Sequence, residues 1–144
     1  MSKRVILGPD ERPERLQIGG FNIAVLASGH DTQGYEMFHT EGPAGTGPGP
    51  HSHAWDETFY VLNGPVTFGV GQEEIVAESG TFLNVPGDAI HWYRFGPEAG
   101  SFVSVTSGTS AAPMYRDLAA IESPDKSLYV EAAARHGQTL REDG

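Results

Sequence analysis

The sequence predicts an all-β fold, an antiparallel barrel or sandwich followed by a short helical tail. Glycine and proline, 19 and 10 of the 144 residues, separate short runs that are rich in apolar and β-branched side chains. Short strands at such spacing are typical of all-β barrels and sandwiches. The turn pairs Asn63-Gly64 and Ser79-Gly80 favour hairpins over crossover helices.

Each strand is predicted from its run of apolar and β-branched residues. The runs are 21–27, 35–40, 58–62, 66–70, 74–78, 81–85, 91–95 and 102–106. Two short helices are expected afterwards, about 111–121 with Ser110 as its cap, and about 124–136 with Ser123 as its cap and Gly137 as its stop. We interpret residues 1–144 as one domain with its core barrel at about 21–106, and we expect the helices to cover the barrel or to contact a second copy.

The composition excludes several classes of site and partner. Cysteine is absent, so a metal site must use nitrogen and oxygen ligands. The net charge of −10 argues against nucleic acids and anionic membranes, which need a basic surface. Neither a signal peptide nor a run of apolar residues long enough for a membrane span is apparent, so we expect a cytoplasmic protein.

Four residues have the spacing of a metal site. His51 and His53 are two positions apart, so both imidazoles lie on one face of an extended strand, and Glu57 follows four residues later. His91 begins another predicted strand after the turn at Pro86, and strand pairing can bring it to the same face. Three imidazoles and a carboxylate suit zinc, iron, nickel or manganese.

The same residues resemble the two sequence motifs of the cupin superfamily. The first motif, G-x5-H-x-H-x3-E-x6-G, is matched in full and begins at Gly45. The second motif, G-x5-P-x-G-x2-H-x3-N, begins at Gly80 and is matched at its proline and histidine. Asp88 stands at the position of the motif's second glycine, and Phe95 stands at the position of its asparagine. These departures affect the turn and the pocket rather than the metal ligands.

The resemblance implies a jelly-roll double-stranded β-helix of the RmlC-like type that holds one divalent ion per subunit. The implied ligands are His51, His53, Glu57 and His91. Glu57 can instead be a proton-transfer group beside the metal.

His39 is an ambiguous residue of the predicted strand 35–40. If charged Glu36 points outward, alternation sends Tyr35, Met37 and His39 inward. His39 is then a candidate fourth imidazole ligand or a catalytic base, and its binding to the metal would leave Glu57 free for proton transfer. The alternative is a core histidine that is hydrogen-bonded to a backbone carbonyl.

The predicted substrate pocket is apolar and aromatic. Alternation along the strands assigns to it Tyr35, Met37, Phe59, Val61, Tyr93 and Phe95. Arg94 is the one lysine or arginine between Leu16 and Tyr115, and it is out of step with His91. With no cationic anchor in the barrel, we expect a small neutral substrate, aromatic or polyketone, whose oxygens reach the metal.

Two cupin families that act on such molecules resemble this chain. The first is the aromatic polyketide cyclases of the tetracenomycin and resistomycin type, which belong to antibiotic biosynthesis. For these, zinc would polarise a ketone while His39 or Glu57 removes a proton and an aldol closure follows. The second is the quercetin 2,3-dioxygenase-like cupins, with iron, nickel or manganese and Glu57 as ligand and base. A non-catalytic binding cupin is the third alternative.

Two further expectations concern assembly and access to the pocket. An open-sided β-sandwich leaves edge strands to cover, so we expect a homodimer, with the segments 5–7 and 21–26 as candidate contacts. The Gly/Pro-rich loop 41–50 is expected to form the pocket rim, with a lid as one possible role.

Overall fold

The computed structural model of the protein describes residues 1–11 and 14–141. No helix in this described part is long and apolar enough to cross a membrane. The strands are β1 (Arg15–Ile18), β2 (Phe21–Ala27), β3 (Tyr35–Gly42), β4 (His51–His53), β5 (Glu57–Asn63), β6 (Val66–Val70), β7 (Glu73–Ala77), β8 (Phe82–Val85), β9 (His91–Phe95), β10 (Gly100–Ser107) and β11 (Gln138–Leu140). The helices are α1 (Gly29–Thr32), α2 (Ala111–Ala119) and α3 (Lys126–Arg135).

The strands form two antiparallel sheets that enclose the core between them. The six-stranded sheet has the order β1-β2-β3-β10-β5-β8, and the five-stranded sheet has the order β11-β4-β9-β6-β7. The predicted all-β class is therefore confirmed, and three predicted strands, 21–27, 66–70 and 91–95, have the observed bounds. The prediction missed β1, β11 and α1. It treated His51–His53 as extended without including it among the strands.

The core between the sheets is mostly aromatic. Phe59, Phe68, Phe95 and Phe102 are almost fully buried and surround Tyr93, with ring centroids 4.9 to 6.2 Å from the tyrosine ring. Each such ring contributes about 1.5–3 kcal/mol through burial. This packing fixes the position of β9, which carries His91 at its first residue.

The alternation predicted along β3 is the wrong way round. Glu36, Phe38 and Thr40 are buried, whereas Tyr35 is 51% exposed and both Met37 and His39 are only partly buried. Glu36 can point inward because its carboxylate accepts hydrogen bonds from the backbone N–H of Gly29 at 2.7 Å and of Ala112 at 2.8 Å. These donors compensate the carboxylate for lost solvation, so its charge does not force it to the surface.

The C-terminal helices pack on each other and against two short strands, α2 against β1 and α3 against β11. Met114 and Leu118 of α2 pack with Ala132 and Ala133 of α3 in a second apolar cluster. The predicted start of the second helix was wrong. Asp125, not Ser123, caps α3 by accepting a hydrogen bond from Ser127 N–H, and Pro124 lies outside the helix. Ser110 precedes α2 without a side-chain capping bond.

Candidate metal centre

Three histidines meet where β4 pairs with β9. His51 lies opposite His91 in the strand register, and His53 faces the same side as His51. The ring centroids are 4.2 Å apart for His51 and His91, 4.8 Å for His53 and His91, and 5.7 Å for His51 and His53. One ligand nitrogen from each ring lies within 4.8 Å of the others, and all three residues are buried. The predicted histidine cluster is thus present.

The backbone fixes the tautomer of each ring. The Nδ1 atoms of the three imidazoles each contact a carbonyl oxygen two residues away. These are the oxygens of Gly49 for His51 at 2.8 Å, Trp55 for His53 at 3.0 Å and Ala89 for His91 at 2.9 Å. A carbonyl only accepts, so Nδ1 donates its proton and Nε2 of the neutral ring presents a lone pair. Metal-binding histidines in proteins are oriented in this way.

Glu57 brings a carboxylate to the same place from the facing sheet. Its Oε1 lies 3.3 Å from His53 Nε2 and 3.4 Å from His91 Nε2. Burial by itself would raise the pKa of the Glu57 carboxyl, but its contacts with His53 and His91 outweigh burial and lower that pKa to about 2. Burial, with a smaller contribution from His91, lowers the pKa of His51 to about 3. Near neutral pH, Glu57 is therefore ionised and His51 is neutral.

These donors fit a divalent cation. Nε2 of His91 is enclosed and has no hydrogen-bond partner among the described residues, since its contact with Glu57 lacks hydrogen-bonding geometry. The lone pairs of the neutral imidazoles face the carboxylate of Glu57, so several hydrogen-bond acceptors lie together without a donor. A cation bound among them would interact favourably with all of these acceptors. Nitrogen and oxygen ligands of this kind suit zinc, iron, nickel or manganese. His51, His53 and His91 are the residues that could hold the ion, and the carboxylate of Glu57 lies beside two of them.

A cavity of about 210 Å³ opens onto this cluster, with His51 and Glu57 in its wall. Its other walls are mainly apolar and aromatic and come from the two ends of the chain. They include Ile18, Phe21, Ile23, Tyr115, Leu118, Tyr129 and Leu140. The sequence-based prediction missed all of these residues, because it examined only the strands that carry the histidines or Glu57. The expectation that the C-terminal helices cover the barrel was the one signal that pointed to them.

The predicted pocket residues fall into three groups. Tyr93 lines the cavity, as expected. Phe59, Val61 and Phe95 point inward but form part of the core rather than the cavity wall. Tyr35 and Met37 lie on the outer face of β3, and so does His39, the candidate ligand or base.

His39 is therefore not brought to the histidine cluster. It pairs with Val103 of β10 and Ala24 of β2, on the face opposite to buried Phe38 and Thr40. The metal-ligating group found in the described residues contains His51, His53 and His91 without it. The expectation that His39 points inward as a ligand or base was wrong, because it depended on an outward Glu36.

The Gly/Pro-rich loop 41–50 forms one rim of the cavity through Gly47, Pro48 and Gly49. Backbone hydrogen bonds join Gly45 N–H to Phe95 O at 2.7 Å and Phe95 N–H to Thr46 O at 2.9 Å. A Cβ atom on Gly47 would lie 2.0 Å from the carbonyl oxygen of Tyr93, so only glycine permits this close approach. The loop is therefore tied to β9, and its Gly49 carbonyl orients His51.

The two departures from the second motif have structural explanations. Asp88 has a φ of 70°, a left-handed conformation that aspartate tolerates better than most residues. Phe95 is buried and stacks on Phe102 with ring centroids 5.7 Å apart. Neither change touches the histidine cluster, as the sequence suggested.

Residues 38–106 match the family described as Cupin domain. Quercetin 2,3-dioxygenase of Bacillus subtilis (strain 168) is 32% identical over 107 residues, which is 73% of this chain. Residues 38–106 form a cupin domain. The chain spans 32% of the length of the Bacillus subtilis relative.

Solved cupin structures confirm the predicted jelly-roll fold. An RmlC-like cupin from Shewanella frigidimarina superposes with a TM-score of 0.67 at 19% identity, over 78% of this chain and 98% of that one. A polyketide cyclase from Streptomyces resistomycificus superposes with a TM-score of 0.58 at 21% identity, over 74% of this chain and 80% of that one. At such identities the similarity concerns the fold alone. The histidines and Glu57 all lie within the cupin domain, whereas most of the cavity wall lies outside it.

Proposed function

We propose that this cupin is a metal-dependent enzyme that acts on a small, neutral, enolisable substrate, and that its reaction is the dioxygen-dependent opening of a hydroxyketone ring. The observation that carries the proposal is the position of His51 and Glu57 in the wall of an apolar, tyrosine-lined cavity. The 32% identity to a quercetin 2,3-dioxygenase supports oxygen chemistry as the first candidate.

A divalent ion held by the three histidines and Glu57 would supply Lewis acidity that stabilises the enolate form of a bound hydroxyketone. Glu57 is the group we assign to take the enol proton on a carboxylate oxygen, because it lies in the cavity wall together with His51. The apolar walls align the flat substrate and exclude water while dioxygen reacts as the second substrate.

The experiment measures dioxygen consumption after the metal-free protein has been reconstituted separately with iron, nickel, manganese or zinc. With 3-hydroxyflavone as substrate, we expect uptake of one dioxygen per flavonol lost in at least one of the iron, nickel or manganese forms. Glu57→Gln keeps the side-chain shape and removes the base, so we expect uptake to fall at least about 100-fold. Glu74→Gln, on an exposed position of β7, is the matched control. Metal content is measured for each variant, so that loss of the ion and loss of the base are distinguished.

The second candidate is a polyketide cyclase, in which the same base removes a proton from a methylene between two ketones and an aldol closure follows. The position of Glu57 in an apolar cavity also suits this reaction. The cyclisation needs a base but no oxidant. The cyclase interpretation loses support from Tyr35, Met37 and His39, which lie on the outer face. Its test is deuterium exchange into the methylene of a small β-diketone, followed by NMR with the zinc form under nitrogen.

Exchange without dioxygen uptake would favour the cyclase, and uptake with flavonol loss would favour the dioxygenase. If neither reaction exceeds the Glu57→Gln background in any metal form, both enzyme proposals fail and a binding cupin is left. We propose a cytoplasmic homodimer as the working form.

A further inference from the structure

Gln138 lies beside the histidine cluster, although it is far from it in the chain. β11 pairs antiparallel with β4, so that Gln138 is opposite His53 and Leu140 is opposite His51. Residues opposite each other in such a pair point to the same face. Gln138 lines the cavity together with His51 and Glu57.

The side chain of Gln138 is a buried polar group without a partner. The residue is 7% exposed and no hydrogen bond joins its amide to the described residues, but the amide atoms are not fully enclosed and so are reached from the cavity. A primary amide offers two donors and one acceptor, and burying it unpaired costs free energy. Buried amides in proteins are usually hydrogen-bonded, so an unpaired one in a cavity wall indicates a ligand that supplies the partner.

Two phenol groups have the same property. Buried Tyr93 and partly buried Tyr115 line this cavity, no hydrogen bond joins either hydroxyl to the residues that the structure describes, and neither hydroxyl is fully enclosed. The wall beside Glu57 therefore holds more hydrogen-bonding groups than the protein itself uses. A purely hydrocarbon ligand would leave them all unpaired, whereas a ligand with adjacent oxygens would pair them.

We propose that Gln138 is a substrate-binding residue that selects molecules carrying a hydroxyl group next to a carbonyl group. Its amide oxygen accepts a hydrogen bond from the hydroxyl, and its amide N–H donates one to the carbonyl. Tyr93 and Tyr115 donate to further oxygens of the same ligand. This inference names the substrate class and rests on the proposed function, but it concerns binding and not the reaction.

The test compares two flat probes that differ by one hydroxyl group, 3-hydroxyflavone and flavone. Binding is titrated by fluorescence or calorimetry to the zinc-loaded protein without oxygen, so that no turnover occurs. The variants are Gln138→Met, which is similar in size but apolar, and Gln72→Met in the exposed turn between β6 and β7 as the control. We expect Gln138→Met to weaken 3-hydroxyflavone by about tenfold or more and flavone by less than about threefold.

The stability of the ligand-free protein separates recognition from a structural role. Because the amide of Gln138 makes no hydrogen bond within the described protein, we expect the unfolding temperature of Gln138→Met to equal or exceed that of the wild type, with unchanged zinc content. A lowered unfolding temperature would overturn the proposal. So would equal losses for both probes, an unchanged affinity for 3-hydroxyflavone, or no binding of it to the wild type. Failure of the dioxygenase reaction alone would leave this test intact.

Discussion

Glu36 is expected to be one of the most important residues for stability. Its carboxylate accepts two hydrogen bonds, from Gly29 N–H at 2.7 Å and Ala112 N–H at 2.8 Å, and so joins β3 to α1 and α2. Hydrogen bonds to a charged group each contribute about 1.5–3 kcal/mol, and Glu36→Ala also leaves two buried N–H groups unpaired. We expect Glu36→Ala to lower the free energy of unfolding by about 4 kcal/mol, a large share of the 5–15 kcal/mol typical of a domain.

Urea unfolding followed by circular dichroism measures this loss. Glu36→Gln can still accept one of the two bonds through its amide oxygen, so we expect a loss of about 2 kcal/mol in a variant that still folds. Glu41→Ala on the same strand is the control, because its carboxylate contacts Arg15 at 3.8 Å with side chains 44% and 60% exposed. Such a pair contributes less than about 0.5 kcal/mol. A loss below about 1 kcal/mol for Glu36→Ala would refute the assigned role.

The other predictions concern metal, pH and assembly. Elemental analysis of untagged protein should give near-stoichiometric divalent metal. We expect His91→Ala to abolish this metal content and His39→Ala to leave it unchanged. Equal losses of metal in the two variants would contradict the outward position of His39. The pKa of His51 falls from 6.5 in the unfolded chain to about 3 on folding. Between pH 3 and pH 6.5, the unfolded chain therefore binds a proton on His51 that the folded protein does not bind. The metal-free protein should therefore lose stability as pH falls from 6.5 towards 3, and His51→Ala should flatten this dependence in thermal melts. Sedimentation should show a dimer that Phe82→Glu dissociates and Val76→Glu does not. Both residues are 63% exposed, but they lie on different sheets, and a dimer that survives Phe82→Glu would exclude Phe82 and its surroundings on the six-stranded sheet as the interface.

The dimer prediction moves the contact away from one of the segments that the sequence suggested. Phe21, Ile23 and Val25 of the segment 21–26 are buried in the core, so they are not available to a partner. The outer face of the six-stranded sheet instead exposes Tyr60 opposite Phe82. An uncharged apolar patch is where two copies of a chain with net charge −10 approach with the least repulsion.

The metal site was predictable because it depends on local spacing. The two-residue step from His51 to His53 fixes a shared face whenever the segment is extended, and the second motif identifies His91 as their partner. The carboxylate of Glu57 followed from the first motif, which also contains His51 and His53. Sequence spacing therefore carried the geometry of the ligands, although it said nothing of the carbonyl oxygens that fix the imidazole tautomers.

The orientation of β3 was not predictable from alternation alone. A charged residue within a strand points outward by default, and Glu36 breaks this rule because two backbone N–H groups, 7 and 76 residues away, solvate it. The second donor depends on where α2 packs, which a strand pattern does not contain. Gln138 was missed for a similar reason, since a three-residue strand after a helix has too short a pattern to be recognised.

The division of the site between two parts of the chain bears on how its substrate can be inferred. The histidines and Glu57 lie within residues 38–106, whereas Ile18, Tyr115 and Gln138 in the cavity wall lie outside them. The ligand set determines which ions and which acid–base steps are available, and the walls determine which molecule reaches them. Relatives that share the motif can therefore differ in substrate without any change at the metal. Changes at the histidines should alter metal content and activity together, whereas changes at Gln138 should alter the ratio of kcat/KM between substrates at constant metal content.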